Sequence, residues 1–304
     1  MKSKFRIPVL LVFSFFTILL FSASLQAAFF PQKGILIYPI EKEKKWLAEP
    51  GKIAFVKNYN SIKKLVDLEI DGVLYPGVKS YYIIPFDPDF SVSKIYISIL
   101  NIDDLLFSND KNEEVRYRYF LSRNICIAFP NHPLFEDIHY YVCKLSAKYE
   151  SEFESNEGKR PLVKTMSHIE DHLKKFPKGR YKDELEWRLI LLKNHVYEYE
   201  GETEEPIKHA QIFSEFLKKN PNSKVKSEIQ LHIAKLYRII YEYSNTDKQN
   251  LKIQAEYKEK AIKMYKKILV SGNLVSREIA RVALYNIAHN RYAYQFIKGR
   301  ESDW

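Results

Sequence analysis

Residues 173–192 read LKKFPKGRYKDELEWRLILL, and residues 217–236 read LKKNPNSKVKSEIQLHIAKL. They are two copies of one pattern, 44 residues apart. Leu-Lys-Lys opens each copy, a Pro follows four residues after the Leu, and a Lys and a Glu recur in register. The apolar positions recur with them: Leu185 with Ile229, Trp187 with Leu231, Leu189 with Ile233, Leu192 with Leu236. A repeat of this length implies stacked helical hairpins, each burying its apolar face on its neighbours. Such stacks present surfaces for binding more often than active sites.

Working outward from the two copies, the helical period holds from Pro133 onward. The pattern predicts helices over Phe135–Phe153, 161–175, 182–199, 205–219, 224–243, 253–271 and 274–297. Breaks fall at Phe176-Pro177, Gly201, Asn220-Pro221 and Gly272-Asn273, where Pro, Gly and Asn end helices. A third, looser copy aligns Tyr265 with Phe213, Ile268 with Phe216 and Glu278-Ile279 with Glu228-Ile229.

Upstream, residues 34–130 read as β. Short apolar runs at Gly34–Ile40, Lys52–Lys57, Leu65–Leu74, Tyr81–Pro85, Lys94–Leu100, Val115–Phe120 and Asn124–Phe129 are separated by turn residues. Asp71-Gly72 is a hairpin signal. Six or seven short strands with turns between them suggest a small β-sandwich. The expected fold class is therefore α+β and multidomain, with a β-sandwich at 34–130 followed by an α-solenoid of helical hairpins at 133–298.

Composition limits the function classes. The chain has 304 residues, 46% hydrophobic and 14% aromatic, enough for sizeable cores, and its 9 glycines suit a helix-rich fold. The formal net charge is +10, and Lys2, Lys4 and Arg6 supply three of those charges. The other cations are interspersed with Glu, as on solvated helix faces. No dense basic cluster or nucleic-acid motif is present, so no nucleic-acid partner is expected. Lys2, Lys4 and Arg6 precede a nearly unbroken apolar run, Ile7–Ala23, and small residues follow it. Residues 1–27 thus read as a signal peptide, or as an uncleaved anchor that is the chain's sole expected membrane contact. The expected location is exported: periplasmic or envelope-associated in a bacterium. Cys126 and Cys143 are the two cysteines, a disulfide candidate in an exported chain.

The chemical motifs are sparse. His168-Ile-Glu-Asp-His172 places two His at i and i+4, a metal-binding spacing. Shifted by 44 they fall on Ile212 and Phe216, and in the third copy on Met264 and Ile268, which are packing positions. Glu136-Asp137 with His139 resembles an acid–base set, but acids at a helix start suit the helix dipole in any case. There is no phosphate-cradling Gly loop, no G-x-S-x-G and no Cys/His zinc set. The expectation is no enzyme activity, no metal, no cofactor and no small-molecule substrate. Trp187, His195, Tyr197, Tyr237 and Arg238 are the candidate partner-binding residues, placed on helices expected to line the inner face of the stack.

Phe176-Pro177-Lys178-Gly179-Arg180-Tyr181-Lys182-Asp183-Glu184 resembles the FP-x-[SG]-x-Y-x-[DE]-[DE] junction of tetratricopeptide repeats. It is most similar to the variant in bacterial envelope proteins, such as outer-membrane assembly lipoproteins and Tol–Pal coordinators. Leu185 stands where that pattern has a small Ala, and no lipidation Cys follows the apolar run. The resemblance covers about residues 160–290. It implies a curved scaffold that binds a cell-envelope protein or peptide. Two other readings stand beside it: a glycan or peptidoglycan module acting through Tyr81, Tyr82 and Phe86 with the helices as spacer, and an enzyme with an accessory repeat.

Overall fold

The computed structural model describes residues 32–100, 111–151, 162–194, 203–244, 251–291 and 293. The layout is α+β, a small antiparallel sheet region followed by helices. The strands are β1 (Lys33–Leu36), β2 (Ile40–Lys42), β3 (Lys45–Ala48), β4 (Ile53–Asn60), β5 (Leu65–Ile70), β6 (Val73–Lys79) and β7 (Ile83–Pro85). Five of them form one sheet in the order β6-β5-β4-β1-β7, and β2 pairs with β3 separately. In β5, Val66, Leu68 and Ile70 are buried on one face, as period-2 alternation dictates. They meet Leu36, Ala54 and Ile83 in the sheet core. Asp71 and Gly72 both take positive φ, as a type I′ hairpin requires, and Ile70 faces Val73 across the turn.

The β-sandwich expectation needs correction. Among the described residues the last strand is Ile83–Pro85, and the runs expected as strands at 94–100, 115–120 and 124–129 are helical, the last as far as Ala128. They belong to α1 (Pro88–Leu100) and α2 (Lys111–Ala128), and α3 follows at Phe135–Tyr149. The start of α1 is written in its sequence. Asp87 accepts the backbone N–H of Phe90 at 2.7 Å, Pro88 opens the first turn, and Asp89 lies within it. Ser91, Val92 and Ile95 are buried at helical spacing while Ile97 faces solvent. In α2, Glu114 pairs with Arg118 at 2.7 Å one turn on, and burial runs almost all round the helix. The Pro50-Gly51 turn docks on α2: Asn124 donates to the Pro50 carbonyl at 2.8 Å. Gly51, at φ +84, sits where a Cβ would come within 2.9 Å of the Leu121 carbonyl.

The remaining helices are α4 (Val163–Lys175), α5 (Lys182–Lys193), α6 (Glu204–Lys219), α7 (Lys226–Ser244), α8 (Leu251–Ser271) and α9 (Leu274–Ala288). The chain divides into two compact units, residues 1–168 and 169–304, so the division falls inside α4 and α3 stays with the sheet unit.

Within the second unit the 44-residue period extends to the backbone. The α4 and α6 helices end at Lys175 and Lys219, and α5 and α7 begin at Lys182 and Lys226. The turn hydrogen bonds repeat as well. Gly179 N–H donates to the Phe176 carbonyl at 2.9 Å, and Ser223 N–H to Asn220 at 3.1 Å. Leu185 N–H donates to Tyr181 at 3.0 Å, and Ile229 N–H to Val225 at 3.0 Å. The α7 helix packs on α6, α8 and α9. It is therefore shared by two cores: Trp187, Phe213, Phe216, Ile229 and Ile233 on one side, and Leu231, Ala234, Tyr241, Tyr265 and Ile268 on the other. Being packed on both sides, α7 buries residues round most of its circumference. No helix among the described residues is long and apolar enough to cross a membrane.

Candidate functional site

The second unit has a groove of about 330 Å³ between α7 and α9. Lys235 and Arg238 of α7 form one wall, Tyr265 of α8 the floor, and Glu278, Ile279 and Val282 of α9 the other wall. The α9 helix carries it because its two faces differ. Ala280, Ala283 and Ile287 are buried against α7 and α8, while Val275 and Val282 are 67% and 59% exposed. Opposite them, the buried Arg238 donates through Nε to the buried Glu242 at 2.5 Å. The groove thus sets Ile279 and Val282, flanked by Glu278, against Lys235 and the ion-paired Arg238.

Of the sequence-chosen partner residues, Arg238 lines this groove. Tyr237 is half-buried, its ring 5.6 Å from Tyr257 and the Lys260 ammonium 5.9 Å from it. Trp187 is placed differently from expectation: it is 2% exposed and belongs to the core. Its ring meets Phe213 at 4.8 Å and His232 at 5.5 Å, and its indole N–H donates to Glu228 at 3.0 Å. Its helix was expected to line the inner face of the stack, but the face that carries Trp187 turns to α6 and α7 and packs into their shared core. His195 and Tyr197 lie outside the described residues.

The first unit holds an exposed aromatic patch. Tyr38, Tyr81 and Tyr82 meet edge-on or tilted at 5.2 to 6.1 Å, and Lys79 lies 5.6 Å from the Tyr81 ring. A hydrogen bond with Tyr81 raises the Lys79 ammonium above its ordinary range. The patch borders a groove of about 400 Å³ lined by Ile40, Pro76, Val78 and Lys79. Phe86 is apart from this patch, stacked on Phe129 at 4.7 Å with Lys33 over it at 3.7 Å.

Sequence reasoning missed a third surface. Tyr119 stacks on Tyr149 at 4.6 Å, and its hydroxyl shares a 2.9 Å hydrogen bond with His168 Nε2. Arg123 and Lys164 rim the same groove. The misread strand at 115–120 hid it, because helical spacing alone places Tyr119 and Arg123 on one face.

The remaining motifs sit inside the fold. His168 is engaged with Tyr119, and His172 is fully buried with its ring 4.9 Å from Phe176, a packing position like Phe216 in the next copy. His139 and Asp137 are buried in α3, and the His139 ring lies 5.5 Å from Phe135. Cys126 and Cys143 are both buried and no disulfide joins them, which corrects the disulfide expectation. The Cys143 thiol turns instead to the His168 carbonyl at 3.4 Å. Comparison with protein-family models, curated proteins and solved structures finds no match to this chain.

Proposed function

We propose that the chain is an exported, non-enzymatic scaffold whose TPR-like helical hairpins bind a segment of another cell-envelope protein in the groove between α7 and α9. The groove itself carries this reading. Ile279 and Val282 offer apolar contact, Tyr265 gives an aromatic floor, and Lys235 supplies a donor for carbonyl or carboxylate groups. The 44-residue recurrence of the turns supports a repeat architecture built for such contacts. Export rests on the charge and hydropathy pattern of residues 1–27.

The test is site-specific photocrosslinking with the full-length chain in its own cells. A photoreactive residue at Val282 is expected to give a discrete protein adduct, and the pair Ile279→Asp and Val282→Asp to abolish it. No protein adduct from the groove would sink this reading.

A second reading rests on the tyrosine patch. Sugar rings present C–H faces that pack on aromatic rings, and Tyr81 is 58% exposed beside Tyr38 and Tyr82. Here the sheet unit binds cell-wall glycan and the helices act as spacer. Co-sedimentation of the full chain with purified cell wall, lost in Tyr81→Ala and retained in the groove variant, would select it.

A further inference from the structure

Ile62 is 93% exposed, the highest figure for any large apolar side chain among the described residues. It lies at the tip of the β4–β5 hairpin, in the loop 61–64 that the Asn60–Leu65 pairing closes. Turn tips ordinarily carry polar residues, because nothing covers an apolar one there. This tip is also held in place. Lys63 N–H donates to the Asn60 side chain at 2.9 Å, and Ser80 N–H donates to the Lys64 carbonyl at 2.9 Å. Lys64 takes φ +53, a left-handed conformation uncommon for a residue with a side chain. The loop therefore fixes an uncovered isoleucine at one end of the sheet, next to two lysines.

The same end of the sheet gathers further cationic and aromatic groups. Leu65 pairs with Lys79 across β5 and β6, so Lys64 and Lys79 share that end. Lys63, Lys64 and Lys79 are all exposed. The Lys79 ammonium lies 5.6 Å from the ring of Tyr81, itself 58% exposed. The acids of β5 and of its turn are engaged elsewhere. Glu69 pairs with Lys57 at 2.9 Å, Asp71 pairs with Lys52 at 2.8 Å, and Asp67 accepts the Gly77 N–H at 2.8 Å. Glu41 is the one acid lining the groove beside Lys79. Three lysines against one acid leave this end of the sheet cationic around an apolar tip.

We propose that this end of the sheet is a docking tip for an anionic membrane surface. Ile62 enters the boundary between lipid headgroups and acyl chains, and Lys63, Lys64 and Lys79 bind the anionic headgroups. The Tyr81 ring, apolar with a polar hydroxyl, suits the same boundary. Ile62 decides for a lipid surface over a soluble anion. Lysines serve either, but an exposed isoleucine gains only by leaving water for an apolar phase. Each lysine is worth about a fivefold change in partitioning to an anionic surface. With a single apolar side chain the attachment is reversible, and it orients the sheet unit on a membrane without anchoring it. The inference goes beyond the α7–α9 groove and does not depend on it.

The test uses the full-length chain with an environment-sensitive fluorophore on Ser61→Cys, which leaves Ile62 in place. The native Cys126 and Cys143 are buried. The apolar run Ile7–Ala23 can bring the chain to any vesicle, so the readout is local: quenching by lipids that carry a nitroxide on the acyl chain. Val73→Cys carries the control fluorophore, at an exposed position beside the Asp71-Gly72 turn at the opposite end of β5. On vesicles of mixed phosphatidylcholine and phosphatidylglycerol, quenching at position 61 is expected to exceed that at position 73 at least fivefold. Phosphatidylcholine alone, Lys63→Glu with Lys64→Glu, and Ile62→Ser are each expected to lower quenching at position 61 at least fivefold, with circular dichroism unchanged. Equal quenching at the two positions overturns the docking tip. So does quenching at position 61 that persists without the anionic lipid, the two lysines or Ile62. A fluorophore at position 61 that responds to purified cell wall and not to vesicles overturns it in favour of the glycan reading.

Discussion

Trp187 illustrates how a single side chain can set the stability of the repeat. Its ring fills the space between α5, α6 and α7, touching Phe213, Phe216 and His232. Its replacement by Ala removes the largest side chain of that core and leaves a cavity. Trp187→Ala is expected to cost about 3–5 kcal/mol, read as a lower urea midpoint. His232, packed on the same ring, gives a pH dependence. Burial holds its imidazole below the ordinary histidine range, with Lys235 adding to the effect and Glu228 opposing it. The unfolded chain takes up the proton at about pH 6.5, the folded chain only at lower pH. The stability contributed by the neutral ring is therefore intact above about pH 6.5 and is lost as pH falls through that value toward the folded pKa. His209 is lowered by burial in the same direction, so the two losses add. The fall in melting temperature between about pH 7.5 and about pH 5 is expected to be smaller in His232→Gln than in the unaltered chain.

Among the elements, the helix starts are where the chain's local chemistry is most explicit. Asn273 caps α9 by accepting the N–H of Ser276 at 2.8 Å, and Asn273→Ala is expected to cost about 1 kcal/mol in melting experiments, with Asn273→Asp retaining the cap. Asp87 caps α1 in the same way, and there the sequence was misread. Pro85-Phe86-Asp87-Pro88-Asp89 looks like a turn, and Ile95, Ile97 and Ile99 alternate like a strand. The Asp-Pro-Asp start and the helical spacing of Ser91, Val92 and Ile95 outweigh three isoleucines at period 2. Residues 115–129 failed for a related reason. They are aromatic and apolar on nearly every face because α2 is buried nearly all round, and periodicity alone does not separate such a helix from a buried strand. By contrast, β5 and its hairpin were legible from alternation and Asp71-Gly72, and the α4–α7 turns from the repeated Pro. The groove was only partly legible. Arg238 lines it, but the exposed wall of α9 depends on how separate helices meet.

For the molecule as a whole, the second unit's stability depends on α7 belonging to two cores at once. Repeat stacks hold together by neighbour contacts, so a lesion in one hairpin spreads only as far as a shared helix carries it. Ile287 of α9 is 2% exposed and lies in the α7–α8–α9 core, which has no buried residue in common with the core around Trp187. If α7 couples the two, Ile287→Ala must weaken both. Trp46 and Trp304 changed to Phe leave Trp187 as the fluorescent reporter of the other core. In that background Ile287→Ala is expected to cost about 2–5 kcal/mol, and the Trp187 transition to move to lower urea by the same amount as the loss of helical circular dichroism. Coincident shifts mean that the groove between α7 and α9 is held by the whole helical unit. An unmoved Trp187 transition would mean that α9 and its exposed wall open on their own.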